Sequence, residues 1–326
     1  MITRANQSTR WSARAISRLI AETLDCYAID GSARWDILGR DRGLTLLVEA
    51  DSSPLVVKLV DAERVKFANF EATTEAQAWL ADEALSPGVR TTSERARVAT
   101  LDGPPKALAS VQEFRRGSTI ETLDPVTLSA VGRLAGRIGE ALNSFVSSTG
   151  RGDAFNRSED RLDEAEQRAR SAGEFSDFAL RMLGRIRAVV DRLPRVELEL
   201  VHGDLHLGNV LRTNDGYIAV DLDDVSWGIP HSDLATLCAL PDATLHAPAI
   251  HKMTSAYWTE RSALEPPKLS RHLLGVVCAR LLWTAAHDAH GHEPGLLARQ
   301  SMLIVRSVEA LEQGVTLTEW TRQLSP

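Results

Sequence analysis

Residues Val201–Gly228, VHGDLHLGNVLRTNDGYIAVDLDDVSWG, set His202, Asp204, His206, Asn209, Asp221, Asp223 and Asp224 into an otherwise apolar, glycine-rich run. Charged groups inside such a run are tolerated only where they are paired, hydrogen-bonded or metal-bound. ELELVHGD reads as a β-type run ending at a glycine, and GYIAVDLDD as a second one after the Asn214-Asp215-Gly216 turn signal. The carboxylates therefore gather near the ends of two strands. Asp204 precedes the amide of Asn209 by five residues, and Asp221 follows one short hairpin later. Phosphoryl transfer asks for such a set: an acid to orient and deprotonate the attacking hydroxyl, and an amide plus an acid to hold magnesium on the phosphates.

The phosphates also need a cation. The chain has five lysines, Lys58, Lys66, Lys106, Lys252 and Lys268, and only Lys58 stands inside an apolar strand, LVVKLV. Burying an ammonium there is costly unless it meets an anion, so Lys58 reads as functional. The helical pattern that follows carries Glu71 and Glu75 one turn apart. A strand lysine paired with a glutamate of the next helix and reaching toward ATP completes a kinase-type arrangement.

Charge narrows the partners. Residues 1–117 hold 16 acidic and 16 basic side chains, whereas 118–326 hold 28 and 21, so the second part carries the whole net charge of −7. Nucleic acid is a poor partner for such a surface, and a cationic small molecule suits it. No stretch approaches the roughly 18 apolar residues of a membrane span, and MITRANQSTRW lacks an apolar signal core, so a cytoplasmic protein away from membranes is expected. Cys26, Cys238 and Cys278 lie far apart without a C-x-x-C pair, so neither a disulfide framework nor a thiolate zinc site is indicated and they read as small buried side chains.

Patterning divides the 326 residues into a mixed first part, 1–117, and a helical second part, 118–326, meeting near Phe114–Thr119. SARAISRLIAETLDCYAI spaces Ile16, Leu19, Ile20 and Leu24 as a helix, with Ser12 as N-cap. LTLLVEA and PLVVKLV, separated by a turn signal at Asp51, Ser52, Ser53 and Pro54, read as a hairpin. FEATTEAQAWLADEAL returns to helix, and RVATLDGPPKALASVQEF reads as two strands about a Gly-Pro-Pro turn. Asp124-Pro125 starts a helix whose apolar stripe is Leu128, Val131, Leu134, Ile138, Leu142 and Phe145. Glu159–Arg170 reads as a solvated helix face, HDAHGHEPG as a water-facing loop after a helix, and Trp227, Trp258 and Trp283 as core.

On HGDLHLGNVL, IAVDLDDVSWGIPHSDLA, VVKLV and EAQAWL, in that spacing, the chain resembles the aminoglycoside phosphotransferase and choline kinase family. The resemblance implies an α+β, bilobal protein-kinase-like fold: an N-terminal nucleotide-binding lobe with a small sheet and one key helix, and a larger helical C-terminal lobe with the catalytic loop and acceptor site. It implies Asp204 as catalytic acid, Asn209 and Asp221 as magnesium ligands, Lys58 as phosphate-binding lysine and Glu75, in preference to Glu71, as its partner. His202, His206 and Asp233 would brace the loop. Asp223 and Asp224 stand where they could assist the metal or face the substrate, and Glu113 and Phe114 would line the nucleotide. The family's phosphate loop corresponds here to LGRDRGLT, bulkier and more charged than usual, with Gly39 and Gly43 left to admit phosphate.

The expected activity is transfer of the γ-phosphate of ATP, with GTP open as a second donor, to a hydroxyl of a small amine-bearing molecule such as an aminoglycoside or another basic antibiotic. A metabolite kinase acting on an amino alcohol or a sugar is the alternative. A metal-dependent hydrolase built on His202, Asp204, His206 and Asp221 would leave Lys58 and Glu75 without a reason. A binding-only pseudokinase would be expected to lack one of Lys58, Asp204, Asn209 or Asp221, all of which are present.

Overall fold

The computed structural model describes residues 11–30, 34–40, 43–50, 53–156, 161–262, 264–289 and 294–324. Contacts divide it into two units, Met1–Gly117 with Gly150–Phe155, and Ser118–Thr149 with Asn156–Pro326.

In the first unit the Ser12 hydroxyl accepts from the amide of Ala15 and caps α1, Ala13–Cys26. The strands are β1 (Arg34–Gly39), β2 (Gly43–Glu49), β3 (Leu55–Asp61), β4 (Ala99–Leu101) and β5 (Ala107–Glu113), and α2 spans Phe67–Asp82 between β3 and β4. They form one antiparallel sheet ordered β1-β2-β3-β5-β4. Side chains alternate across a strand. Leu44, Leu46 and Val48 of β2, with Leu55, Val57 and Leu59 of β3, pack against Ile16, Leu19, Ile20 and Leu24 of α1. Each such buried Leu or Ile contributes roughly 1.5–3 kcal/mol through removal from water. Val60 points to the other face, where it packs with Phe70 of α2 and Leu108 of β5. Lys58 shares that parity. The β2–β3 hairpin is as the sequence predicts, with Asp51 and Ser52 of its expected turn outside the described residues.

The second unit holds β6 (Ser118–Thr119), α3 (Pro125–Thr149), α4 (Arg161–Arg170), α5 (Ser176–Val190), β7 (Glu199–Val201), β8 (Val210–Thr213), β9 (Gly216–Ala219), β10 (Ser226–Gly228), α6 (Ser232–Cys238), α7 (Ala247–Glu260), α8 (Ser270–Asp288), α9 (Pro294–Gln313) and α10 (Leu317–Gln323). Asp124 Oδ1 accepts from the amides of Val126 and Thr127 at 2.8 and 3.0 Å and starts α3, whose predicted stripe is buried. Gly132 lets α3 cross α7 closely, since a Cβ there would stand 2.2 Å from the carbonyl oxygen of Met253.

The short hairpin expected about Asn214-Asp215-Gly216 is formed by β8 and β9, whereas nothing in the sequence reading pairs β7. β9 pairs with β8, the segment VLRT, and β7 pairs with β10, the segment SWG. Both partners are too short for an alternating pattern to stand out. Their pairing is fixed by tertiary context, which is how β-propensity normally acts.

Candidate active site

The first unit carries a cation and two carboxylates of interest. Lys58 is 5% exposed and stands opposite Thr45 of β2 and Ser110 of β5. On α2, Glu71 and Glu75 converge on Arg151, whose Nη1 lies 3.2 Å from Glu71 Oε2 and 2.7 Å from Glu75 Oε2. Burial raises the Glu75 carboxyl above its ordinary range, opposed by Arg151 and reinforced by Glu71. Arg151 lies far from Glu75 in sequence, so nothing in the helical pattern of α2 points to it. Glu113 ends β5, with its carboxylate 3.2 Å from Arg115 Nη2, and the amide of Phe114 approaches the carbonyl of Pro54 at 3.4 Å. Gly39 ends β1 at a register shift. Gly43 is constrained by the sheet itself, because a Cβ there would lie 2.3 Å from the carbonyl oxygen of Leu59.

In the second unit the loop after β7 is locked from below. Asp233, on α6 and 5% exposed, accepts the amide of His202 on Oδ2 at 2.8 Å and that of Gly203 on Oδ1 at 3.0 Å. Gly203 has φ +84°, and a Cβ there would stand 2.1 Å from the carbonyl oxygen of Asp224, so only glycine fits. The fully buried His202 ring joins two strand ends: Nε2 lies 3.1 Å from the carbonyl of Val220, and Nδ1 accepts from the amide of Asp204 at 3.4 Å. His206 Nδ1 accepts from the amide of Gly208 at 3.1 Å, which turns the chain into a single 3-10 turn, Leu207–Asn209. Both imidazoles thus spend a ring nitrogen on the backbone, an arrangement suited to bracing rather than to joint metal ligation.

The amide nitrogen of Asn209 donates to the carbonyl of Asp204 at 3.0 Å, which leaves its oxygen as the acceptor group of the side chain. The backbone carbonyl of Asn209 accepts from Val220, next to Asp221 in the chain. Asp221 itself is left-handed, at φ 62° and ψ 61°, a conformation that disfavours residues with a Cβ and recurs where side chains are aimed for function. Asp223 and Asp224 follow in another 3-10 turn, with the Asp224 carbonyl accepting from the Ser226 hydroxyl at 2.9 Å. Among the described residues no three His, Cys, Asp or Glu side chains gather as a metal-binding group. An amide and one carboxylate still fit magnesium, which keeps waters and phosphate oxygens in most of its coordination sphere.

Asp204 has further neighbours. Its Oδ2 lies 3.7 Å from His206 Nε2, and its Oδ1 lies 2.9 Å from Arg280 Nη1 on α8. The Arg280 contact is an ion pair without hydrogen-bond alignment, so buried Oδ1 has charge compensation but no directed donor. Burial holds the His206 imidazole below its usual pKa; Asp204 works against that shift, and Arg280 adds to it. The Arg280 guanidinium lies over the Trp283 ring at 4.8 Å, Arg168 of α4 meets the same ring at 5.1 Å, and His287 stacks parallel to it at 5.7 Å. Trp283 is therefore half-buried among cations rather than a core residue; Trp258, at 6% exposed, is core, and Trp227 is half-buried. His290 and His292 lie outside the described residues. An apolar cavity of about 250 Å³ lies beneath the loop, lined by Gly203, Trp227, Ile229, Val276 and Ala279 among others.

Sequence reasoning missed Arg280 and Arg168. The signal present was the i, i+3 spacing of Arg280 and Trp283 in RLLW, which puts both on one helix face.

The first unit thus holds a small antiparallel sheet with one buried lysine, and the second is largely helical and carries the Asp204–Asn209 loop and Asp221. The chain belongs to the phosphotransferase enzyme family, whose model matches residues 40–265. Solved structures of similar fold include an amicoumacin kinase in complex with AMP-PNP, Ca2+ and Ami (TM-score 0.70, 15% identity, covering 99% of this chain and 100% of that one). A microcompartment-associated aminopropanol kinase aligns at TM-score 0.65 and 18% identity over 91% of this chain and 96% of that one. A spectinomycin phosphotransferase with ADP and spectinomycin aligns at TM-score 0.62 and 12% identity over 94% and 97%. No curated protein sequence matches the chain. Among the described residues no helix is long and apolar enough to cross a membrane.

Proposed function

We propose that the chain moves the γ-phosphate of magnesium-ATP to a hydroxyl of a small, amine-bearing molecule, a basic antibiotic or an amino alcohol. The observation that carries this reading is the Asp204–Asn209 loop, in which the Asn209 amide is tied to the backbone of the base and the preceding amides of His202 and Gly203 are held by Asp233. Asp204 orients the acceptor hydroxyl and accepts its proton. Asn209 and Asp221 would hold magnesium, which supplies charge neutralisation on the phosphates. Lys58 provides the nucleotide's cationic partner in the first unit. His202, His206 and Asp233 hold the loop still, and Asp223 and Asp224 add negative charge beside it.

Nucleotide use is supported by the similar structures that carry AMP-PNP or ADP, and an amine-bearing acceptor by the aminopropanol named for one of them. The surplus of acidic residues in 118–326 agrees with a cation. The test is a mass-spectrometric screen with magnesium-ATP against spectinomycin, other aminoglycosides, tuberactinomycin-type peptides, macrolides, aminopropanol, choline, ethanolamine and neutral sugars. An amine-bearing acceptor should gain one phosphate, with a KM that rises between about 0.05 and 0.5 M salt as exposed charges are screened. A neutral sugar as best acceptor would overturn the amine assignment.

A further inference from the structure

We infer that Arg280 is a positioning residue for the transfer: from α8 it fixes the Asp204 carboxylate so that Oδ2 is the oxygen presented to the acceptor hydroxyl. The inference rests on the reading of Asp204 as the base. The terminal torsion of an aspartate is broad and nearly two-fold, so a loop that is rigid in its backbone does not by itself choose which oxygen faces the reactant. The Asp233 anchor and the Asn209 amide act only on backbone atoms of the loop. Arg280 acts on the carboxylate itself, with Nη1 2.9 Å from Oδ1. Oδ1 is buried while the Asp204 side chain as a whole keeps 24% of its exposure, so what Asp204 offers to a reactant lies away from Oδ1.

Arg280 is built to hold one orientation. Its side chain is 15% exposed, and Trp283, one turn along the same helix, carries the guanidinium at 4.8 Å from its ring centroid. A planar guanidinium stacked on an indole loses less freedom per contact than an ammonium would. Helix α8 buries Leu273, Leu274, Val277, Cys278, Leu281 and Leu282, so the arginine projects from a packed element, which holds a side chain more firmly in place than a loop does. As a contributor to stability such a partly exposed pair is minor. Its effect falls on geometry, where a displacement of the reacting group by about 1 Å can slow a reaction about a hundredfold.

The test is a kinetic double-mutant cycle on the full chain. Magnesium-ATP turnover is measured with whichever of spectinomycin, aminopropanol, choline or ethanolamine reacts fastest, or with water as acceptor where none exceeds the rate in buffer. Arg280→Ala should lower kcat about 30- to 100-fold while the KM for magnesium-ATP stays within about twofold. Arg280→Lys should recover part of the loss, because it restores charge without the planar stack. Because the two groups act as a unit, adding Arg280→Ala to Asp204→Asn should slow the enzyme no further than Asp204→Asn alone. Should Arg280→Ala fail to fold, Trp283→Leu, which loosens the arginine without removing its charge, should still lower kcat several-fold with unchanged KM for magnesium-ATP. Losses that multiply in the double variant would overturn the inference, as would kcat in Arg280→Ala or Trp283→Leu within about threefold of wild type while Asp204→Asn is inactive. An active Asp204→Asn would instead remove the base assignment on which the inference stands.

Discussion

The loop around Asp204 and the wall formed by Arg280, Trp283 and Arg168 lie in the same unit and meet at one carboxylate, yet they are held by different forces. The loop is fixed by short, directed bonds to a buried carboxylate and by a glycine that no other residue can replace. The wall is held by one ion pair and two cation–π contacts around a half-buried indole. Removing a partner from the first leaves buried donors unsatisfied, at about 1–3 kcal/mol each. Contacts of the second kind are worth about 0.5–1 kcal/mol when exposed. One region therefore holds the backbone of the loop, while the other meets the Asp204 carboxylate through fewer and weaker contacts.

The largest effect is expected at Asp221, proposed above as a magnesium ligand. Asp221→Ala should lower kcat/KM at least about a thousandfold and remove the magnesium dependence of nucleotide binding, because the ion's charge stabilisation is worth several kcal/mol. A magnesium titration followed by calorimetry checks this, and unchanged magnesium-ATP affinity would remove Asp221 from the metal. Next in size is the anchor: Asp233→Ala strands the amides of His202 and Gly203 and should destabilise the fold by about 3 kcal/mol in urea unfolding, with a loss of kcat. Equal stability of the variant would show that the loop holds itself.

A smaller effect concerns acid. Burial, with a lesser push from Arg261, lowers the His231 imidazole from 6.5 to about 4, and its Nδ1 lies 2.8 Å from the Tyr257 hydroxyl. Between those values the unfolded chain binds a proton that the folded chain does not, so stability falls as pH drops from about 6.5 to about 4. His206, His251 and His272 are shifted in the same direction, also first by burial. His231→Asn tolerates the left-handed backbone at φ 64° and should flatten, without abolishing, the decline of Tm with acid. An unchanged slope would exclude His231 as a contributor. The smallest effect belongs to the outer part of the wall. Arg168→Gln should change stability by less than about 1 kcal/mol and kcat by less than about twofold, leaving only the acceptor KM to move.

The same division governs how much was legible in the sequence. Lys58 stood out because a lysine in an apolar strand needs a partner, and Asp204, Asn209 and Asp221 because their spacing along one short segment is itself the signal. The helices over Ala13–Cys26 and Pro125–Thr149 announced themselves by apolar period and by Ser12 and Asp124 as caps. Strands of three or four residues, VLRT and SWG, carry no period and took their pairing from the surrounding fold. Arg280 and Arg151 were invisible for a different reason: each meets its carboxylate only because separate helices and turns fold together, 76 residues apart for Asp204 and Arg280 and likewise 76 for Glu75 and Arg151. Tryptophan in an apolar helix suggested core, whereas the arginine one turn before Trp283 decides its surroundings.

On the function proposed above, Asp204 serves the transfer step and not the binding of nucleotide, and this separation can be measured. It is tested most directly by measuring, on one preparation of Asp204→Asn, the calorimetric affinity for magnesium-ATP and the turnover of the best acceptor. Affinity should stay within about twofold of wild type while kcat falls at least about a hundredfold, the scale of a lost general base. Turnover within about tenfold of wild type at unchanged affinity would contradict it.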